Sequence, residues 1–458
     1  MSVTREGALA ATLGRERGRL PPELVVRTDT RSLRPGETFL ALRGPNFDGH
    51  AFVRRALASG AGAVVVEAAT SLPDGAPALV VGDTHAAFLA LARAARSSSS
   101  ARFVAITGST GKTTTKDLLA QLLARATGLP VAATPANENN EIGVAKLLLS
   151  LDPAARYAVV EMGARHYGEI LPLAEIVRPA VAVLTNIGEA HLEIMGSAAR
   201  LAETKWGIFA TGATPVLGLA DAVSRARGAA DPQVRWFGVD AAATPLASAW
   251  RTIVRGRERL EIAGPEGAQS WPIDVRVAGD HNRQNLAAAL AAALALGAEA
   301  GALAAAIPSL ALPHGRYERI AAGPLVLVYD AYNASASGTV ATLASFAAEP
   351  ATRRIAVLGS MAELGPEAAE LHERTGAAAA SVDVLLALGP HASDLARGAR
   401  AAGLAAECIV EPEGNDAAAA WLRRHGRAGD LVLLKASRRY GFEAIVAALG
   451  APLEAPRG

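Results

Sequence analysis

The chain has 458 residues, about half of them hydrophobic (51%) and 19% charged, which supports two to four domains with ample cores and excludes a disordered chain. A net charge of +1 argues against a nucleic-acid or membrane-surface binder, and a single cysteine excludes a disulfide framework and a cysteine-based metal cluster.

The N-terminal segment, Met1 to Leu20, alternates charge with alanine and lacks the apolar core of a signal peptide. A cytoplasmic protein with no membrane insertion is expected. The first unit, residues 1–100, reads as Val25–Arg27, a turn at Arg34-Pro35-Gly36, a strand over Thr38–Leu42, a helix over Ala51–Ser59 and a strand over Ala63–Glu67. Ser97 to Ser100 marks a linker or helix end.

The second unit, residues 101–312, alternates strand and helix, which predicts a mainly parallel sheet covered on both faces. It opens with an apolar run, Phe103 to Ile106, followed by Thr107-Gly108-Ser109-Thr110-Gly111-Lys112-Thr113-Thr114 and a helical pattern from Asp117. Strand, glycine-rich turn and helix are the context of a phosphate-binding loop, whose backbone N–H groups and helix N-terminus hold polyphosphate. Lys112 would reach the β/γ-phosphates and the Thr113 hydroxyl would bind Mg²⁺. Only two residues separate the glycines, where four is usual. A tight turn with a solvated lysine is the plainer alternative.

Five further segments of this unit carry chemistry. Thr134 to Val144 is a polar loop entering a helix, whose Asn139 and Asn140 amides could orient a polar substrate or merely cap the helix. The strand Tyr157–Glu161 ends in a carboxylate at the sheet edge where ligands of parallel sheets bind, so Glu161 could hold Mg²⁺. A strand over Ala180–Thr185 leads to His191, either a ligand or a structural histidine. Lys205 sits on an amphipathic helix, where a lysine ordinarily snorkels to solvent; carbamylation would make it an anionic oxygen ligand. Trp236 to Val277 suggests short antiparallel strands, and a helix over Asn282–Leu296 puts Asn282 and Asn285 on one face, suited to a base or ribose.

The third unit, residues 313–458, repeats the α/β pattern, with strands over Leu325–Tyr329, Ile355–Leu358, Val384–Leu388, Ala406–Val410 and Leu431–Leu434. Cys408 is expected to be a buried thiol in the fourth of these. Arg316 could neutralise a transferring phosphate, while Asp330, Tyr332, Asn333 and Lys435 follow strand ends. Only five of the 45 basic residues are lysines: Lys112, Lys116, Lys146, Lys205 and Lys435. Where arginine is the default cation, a retained lysine suggests a need for an amine.

Taken in order, the loop Gly108–Thr113, Asn137–Val144, Glu161–Ala164, Asn186–Leu192, Gly279–Asn285, Asp330–Asn333, Leu358–Gly365 and Lys435–Arg438 resemble the motifs of the Mur ligases over essentially the whole chain. The short loop spacing is the one that family uses. The resemblance implies three domains: an N-terminal UDP-sugar-binding domain, a central ATPase and a Rossmann-like C-terminal domain. Within the family, Asp330–Asn333, Gly359–Gly365 and Asp48-Gly49-His50 look like the members that add D-alanyl-D-alanine to UDP-N-acetylmuramoyl-tripeptide through an acyl phosphate. Carried over by position, Gly108 to Thr114 with Asn282, Asn285, Arg316 and Asp330 hold ATP. Thr113 and Glu161 bind Mg²⁺, and His191 with carbamylated Lys205 binds a second one. Lys112, Lys205, His191 and Arg316 take part in catalysis, and Thr30, Arg31, Asn139, Asn140, Tyr332, Asn333 and Lys435 face the substrates. A monomer is expected. The chain departs from the family at Ala334-Ser335-Ala336-Ser337, at Ser360 in place of a usual Asp, and at Ala436 in place of a usual Gly. These departures bear on which amine is added. The alternatives are a Mur-like ligase for another carboxylate and amine, a regulatory ATPase, and a non-catalytic nucleotide-binding scaffold.

Overall fold

A computed structural model describes residues 1–44, 47–68, 70–188, 195–242, 246–362 and 364–452. The chain is α/β, and three large sheets follow one another along the described residues. The first, in spatial order, is Arg15–Arg17, Ala78–Val81, Ala63–Glu67, Thr38–Leu40 and Val26–Arg27; only the Arg15–Arg17 edge is antiparallel. The helix Thr84–Ser98 starts where the Asp83 side chain accepts from the His85 and Ala86 N–H groups, and it ends within the serine run. Its Phe88 and Leu91 share one core with Phe103 and Leu148 of the second unit. Arg96 reinforces this docking by donating to the carbonyls of Val177 and Arg178.

The second sheet has nine strands in the order Val131–Ala133, Tyr157–Glu161, Arg102–Thr107, Val181–Leu184, Thr214–Gly218, Arg235–Val239, Arg251–Arg255, Arg259–Gly264 and Gly267–Pro272. Pairing is parallel up to Arg251–Arg255 and antiparallel beyond it. The antiparallel strands expected after Trp236 therefore extend the sheet edge. Central strands are apolar along their middles because helices cover both faces. One cover is Asp280–Ala295, whose residues Leu286 to Ala293 are each at most 1% exposed. Such a helix, apolar all round, can only be a core element, and its alanines let it lie close to Lys112–Thr127.

The third sheet runs Glu318–Ala322, Leu325–Tyr329, Asp430–Lys435, Arg353–Gly359, Val384–Leu388 and Ile409–Val410, parallel except for its first pair. One expectation fails here. Ala406–Cys408 forms a turn of 3-10 helix, and only Ile409–Val410 pairs with the sheet. Cys408 is half-buried, because it sits in the turn that leads into an outermost strand, where no neighbouring strand encloses it. Among the described residues no helix is long and apolar enough to cross a membrane.

Candidate active site

Arg102–Thr107 delivers the glycine loop to the helix Lys112–Thr127 at the carboxyl end of the parallel sheet. Gly108 and Gly111 have φ of 152° and 80°, and a Cβ on Gly111 would overlap the Asn285 amide oxygen. The loop is braced from the next strand end: Thr110 N–H donates to Asn186 Oδ1 (3.1 Å), Asn186 Nδ2 donates to Thr110 Oγ1 (2.9 Å), and Thr185 Oγ1 donates to Thr110 O (2.6 Å). Lys112 Nζ bends back to donate to Gly108 O at 2.8 Å. Burial lowers its pKa and Arg316 adds to this, against an opposing pull from Glu161. Lysine, carboxylate and an arginine of the third unit therefore share one local field.

Glu161 is 1% exposed. Its Oε1 accepts from Asn139 Nδ2 at 2.7 Å, and its buried Oε2 has no hydrogen-bond partner. A buried carboxylate oxygen without a partner, facing a cavity that Thr113 also lines, fits a hard divalent cation with oxygen ligands. Lys205 does not snorkel: it is 2% exposed, and its Nζ donates to Gly108 O at 3.0 Å. Burial, reinforced by Lys112, pushes its pKa well below the ordinary lysine value.

The third unit closes the other side. Leu325–Tyr329 and Asp430–Lys435 run in parallel register, with Tyr329 beside Leu434, so Asp330 and Lys435 emerge together. They pair at 2.9 Å, and Lys435 Nζ also donates to Asn333 O at 2.9 Å. Burial pushes Asp330 up, but Lys435, His281 and Arg316 outweigh it and hold the carboxyl below its ordinary value. Arg316 lies over the Tyr332 ring at 4.4 Å, with Arg438 at 5.4 Å from the same centroid, and the buried Arg316 Nε has no partner. The helix Ala336–Ala347 points its N-terminus at the phosphate loop: Ser337 lies against Gly188, and Gly338 against the Thr110 methyl.

Between these walls lies a cavity of about 1420 Å³ lined by Ser109 to Thr114, Asn139, Asn140, Glu161, Lys205, Asn282, Asn285, Arg316, Asp330, Tyr332, Asn333 and Lys435. Its geometry suits a polyanion held between cationic side chains and two helix N-termini.

Three models describe the chain: "Mur ligase family, catalytic domain" matches residues 25–98, "Mur ligase middle domain" residues 106–293, and "Mur ligase, glutamate ligase domain" residues 315–438. A UDP-N-acetylmuramoyl-tripeptide–D-alanyl-D-alanine ligase of Synechocystis sp. is 36% identical over 92% of this chain and 91% of its own. The chain belongs to the Mur ligase family. It is an ATP-dependent ligase with that family's three-domain fold. MurF from Acinetobacter baumannii superposes with a TM-score of 0.84 at 27% identity, covering 98% of this chain and 99% of that one. MurF ligase from Thermotoga maritima in complex with ADP gives 0.77 at 27% identity, covering 93% and 96%.

Not every expected residue of this Mur ligase lies on the cavity. Arg31 points to solvent and pairs with Asp29 at 2.6 Å, and neither it nor Thr30 lines the wall; the N-terminal unit contributes Leu89 and Arg93 instead. His191 lies outside the described residues. Asn282 and Asn285 turn to one another, Asn285 Nδ2 donating to Asn282 Oδ1 at 3.1 Å, while Asn140 caps the helix Glu141–Ser150. Two loop braces lie beyond the expected set, Asn186 and Asp221, the latter accepting from Ile187 N–H at 3.1 Å; the signal for both is their place after strands of the same sheet.

His281 gives this Mur ligase a pH-sensitive seam. Its Nδ1 lies 3.0 Å from Ser345 Oγ across the second and third units, and its ring meets Tyr317 edge-on at 5.3 Å. Burial lowers its pKa from 6.5 to about 4. Between those values the unfolded chain binds the extra proton, so stability falls as pH drops from 6.5 toward 4. Melting curves of wild type and His281→Gln should diverge over that window, by up to about 3 kcal/mol at 1.36 kcal/mol per unit, with wild type losing more.

Proposed function

We propose that this Mur ligase joins D-alanyl-D-alanine to UDP-N-acetylmuramoyl-tripeptide, consuming ATP, in the cytoplasm and as a monomer, with units at residues 1–100, 101–312 and 313–458. The observation that carries this reading is the meeting of the glycine loop, the open Glu161 oxygen and Arg316 around one cavity, in a chain similar over 92% of its length to a protein bearing that activity's name.

The chemistry follows from charge. A carboxylate is a poor electrophile, and it must approach an anionic triphosphate. Lys112 and Arg316 offset the repulsion, and the loop amides hold the β- and γ-phosphates. The γ-phosphoryl passes to a terminal carboxylate oxygen of the tripeptide and ADP leaves. The dipeptide amine then attacks the acyl carbon, inorganic phosphate departs from the tetrahedral intermediate, and the amine nitrogen gives up a proton. Closure of the second and third units over the bound substrates would remove the water that hydrolyses an acyl phosphate.

Glu161 and Thr113 would hold Mg²⁺, which when bound neutralises phosphate charge. The buried Lys205 amine, kept uncharged more readily than an ordinary lysine, is the form that adds CO₂ and releases a proton to become a carbamate; with His191 it would hold a second Mg²⁺. Asn139, Asn140, Tyr332, Asn333 and Lys435 then serve by shaping the substrate side of the cavity, and Asn282, Asn285 and Asp330 the nucleotide side.

The departures from the family do not favour another amine. Ser360 is fully buried behind the wall, accepting from His391 N–H at 2.9 Å, and Ala436 is buried against Gly359. Ser335 accepts from Gly338 N–H at 3.3 Å and caps the helix that meets the phosphate loop. With purified enzyme, ADP release should require both UDP-N-acetylmuramoyl-tripeptide and D-alanyl-D-alanine. Release unaffected by that pair would sink the reading.

A further inference from the structure

Lys116 is one of the five lysines and has no place in the chemistry above. It lies one turn beyond Lys112 on the helix Lys112–Thr127 and is 2% exposed. Its Nζ donates to Thr134 O at 2.8 Å and to Ala136 O at 3.2 Å, and it lies 3.2 Å from Asp117 Oδ1. Three acceptors around one nitrogen suit a tetrahedral ammonium; a planar guanidinium could not meet them from the same stem.

The two carbonyls belong to the loop that aims Glu161. Thr134 Oγ1 accepts from Glu161 N–H at 2.9 Å. Ala136 is held at φ 43°, a left-handed conformation that costs a residue with a side chain roughly 1 kcal/mol or more. Three residues on, Asn139 donates to Glu161 Oε1 and its own carbonyl accepts from Gly163 N–H at 2.8 Å. A single helix thus carries the phosphate loop at its start and, through Lys116, grips the loop that orients the carboxylate.

We propose that Lys116 is a positioning residue that fixes, through the Thr134–Asn139 loop, where Glu161 presents its open oxygen relative to the phosphate loop. This rests on Glu161 being a cation ligand. Without the three-point grip Ala136 relaxes, Asn139 drifts, and the cation loses its registration with the phosphates while the glycine loop stays intact.

The test is Mn²⁺ binding to the ADP-loaded protein, read by electron paramagnetic resonance as loss of the free-ion signal, beside ADP binding without metal by calorimetry. Lys116→Met should weaken Mn²⁺ about 10-fold, as loss of a residue orienting a metal ligand does, with metal-free ADP affinity unchanged. Unchanged Mn²⁺ affinity in the folded variant, or a parallel fall in metal-free ADP affinity, overturns the proposal. Glu161→Gln in the same assay separates the two layers. If it leaves Mn²⁺ binding intact, the cation reading itself fails; if it weakens binding while Lys116→Met does not, only the positioning role fails. Should Lys116→Met not fold, Asp117→Asn loosens the same grip more gently. A weaker Mn²⁺ affinity that disappears in an Asn139→Ala background supports the role, and no change, or a loss that persists in that background, overturns it.

Discussion

Lys112→Ala should lower kcat by about 10³-fold, close to 4 kcal/mol of transition-state stabilisation, with the melting temperature nearly unchanged. The catalytic loss is expected because Lys112, Glu161 and Arg316 line one cavity, where phosphate charge must gather. The small stability cost is expected because its ammonium is partly desolvated and bonded only to the carbonyls of Gly108 and Ser109, at 2.8 and 3.4 Å, on the cavity wall where water can replace it. Single-turnover phosphoryl transfer, followed as ADP formation alongside thermal unfolding, separates the two effects. A non-catalytic nucleotide scaffold would show undiminished function in cells. A regulatory ATPase would release ADP without either substrate and form no amide. Activity within a few fold of wild type would remove Lys112 from the reaction.

Much of the architecture was legible because parallel strands covered on both faces read as unbroken apolar runs. Tyr157–Glu161, Leu325–Tyr329 and Val384–Leu388 begin and end where those runs do. The glycine loop was legible for a related reason: its flanks, strand before and helix after, are set by local sequence. What escaped was set by register and by contacts between distant segments. The pairing of Asp330 with Lys435 follows from which rungs of two strands, far apart in sequence, lie side by side. Asn282 and Asn285 do share a helix face, but what stands opposite is the glycine loop and each other, which no spacing rule reveals. Cys408 shows the converse: an apolar run at a sheet edge has the composition of a buried strand without the neighbour that would bury it. Lysine scarcity did survive folding. Lys112, Lys116, Lys205 and Lys435 each hold backbone carbonyls with the amine, as a compact rotating donor can.

Lys205→Ala is expected to lose about 10²-fold or more in kcat, and added short carboxylates such as formate or acetate should restore part of it. An ordinary amphipathic-helix lysine would send its amine to solvent, where alanine costs little. Here the amine is 2% exposed, bonded to a single carbonyl, and no carboxylate among the described residues pairs with it. Burial disfavours the ammonium, so the folded chain binds fewer protons there than the unfolded chain and stability gains as pH rises toward the ordinary lysine value. The same shift raises the fraction of neutral amine near neutral pH, and the neutral amine is the nucleophile that attacks CO₂. Conversion to a carbamate would replace an unfavourable buried cation by an anion beside Lys112, reversing the sign of that local interaction. Protein equilibrated with ¹³C-bicarbonate should show a carbamate resonance that Lys205→Ala lacks. Depleting CO₂ should lower activity, and bicarbonate should restore it faster as pH rises. Wild-type rates from Lys205→Ala without additives, or full activity of CO₂-depleted enzyme, would leave Lys205 as a brace for Gly108 and no more.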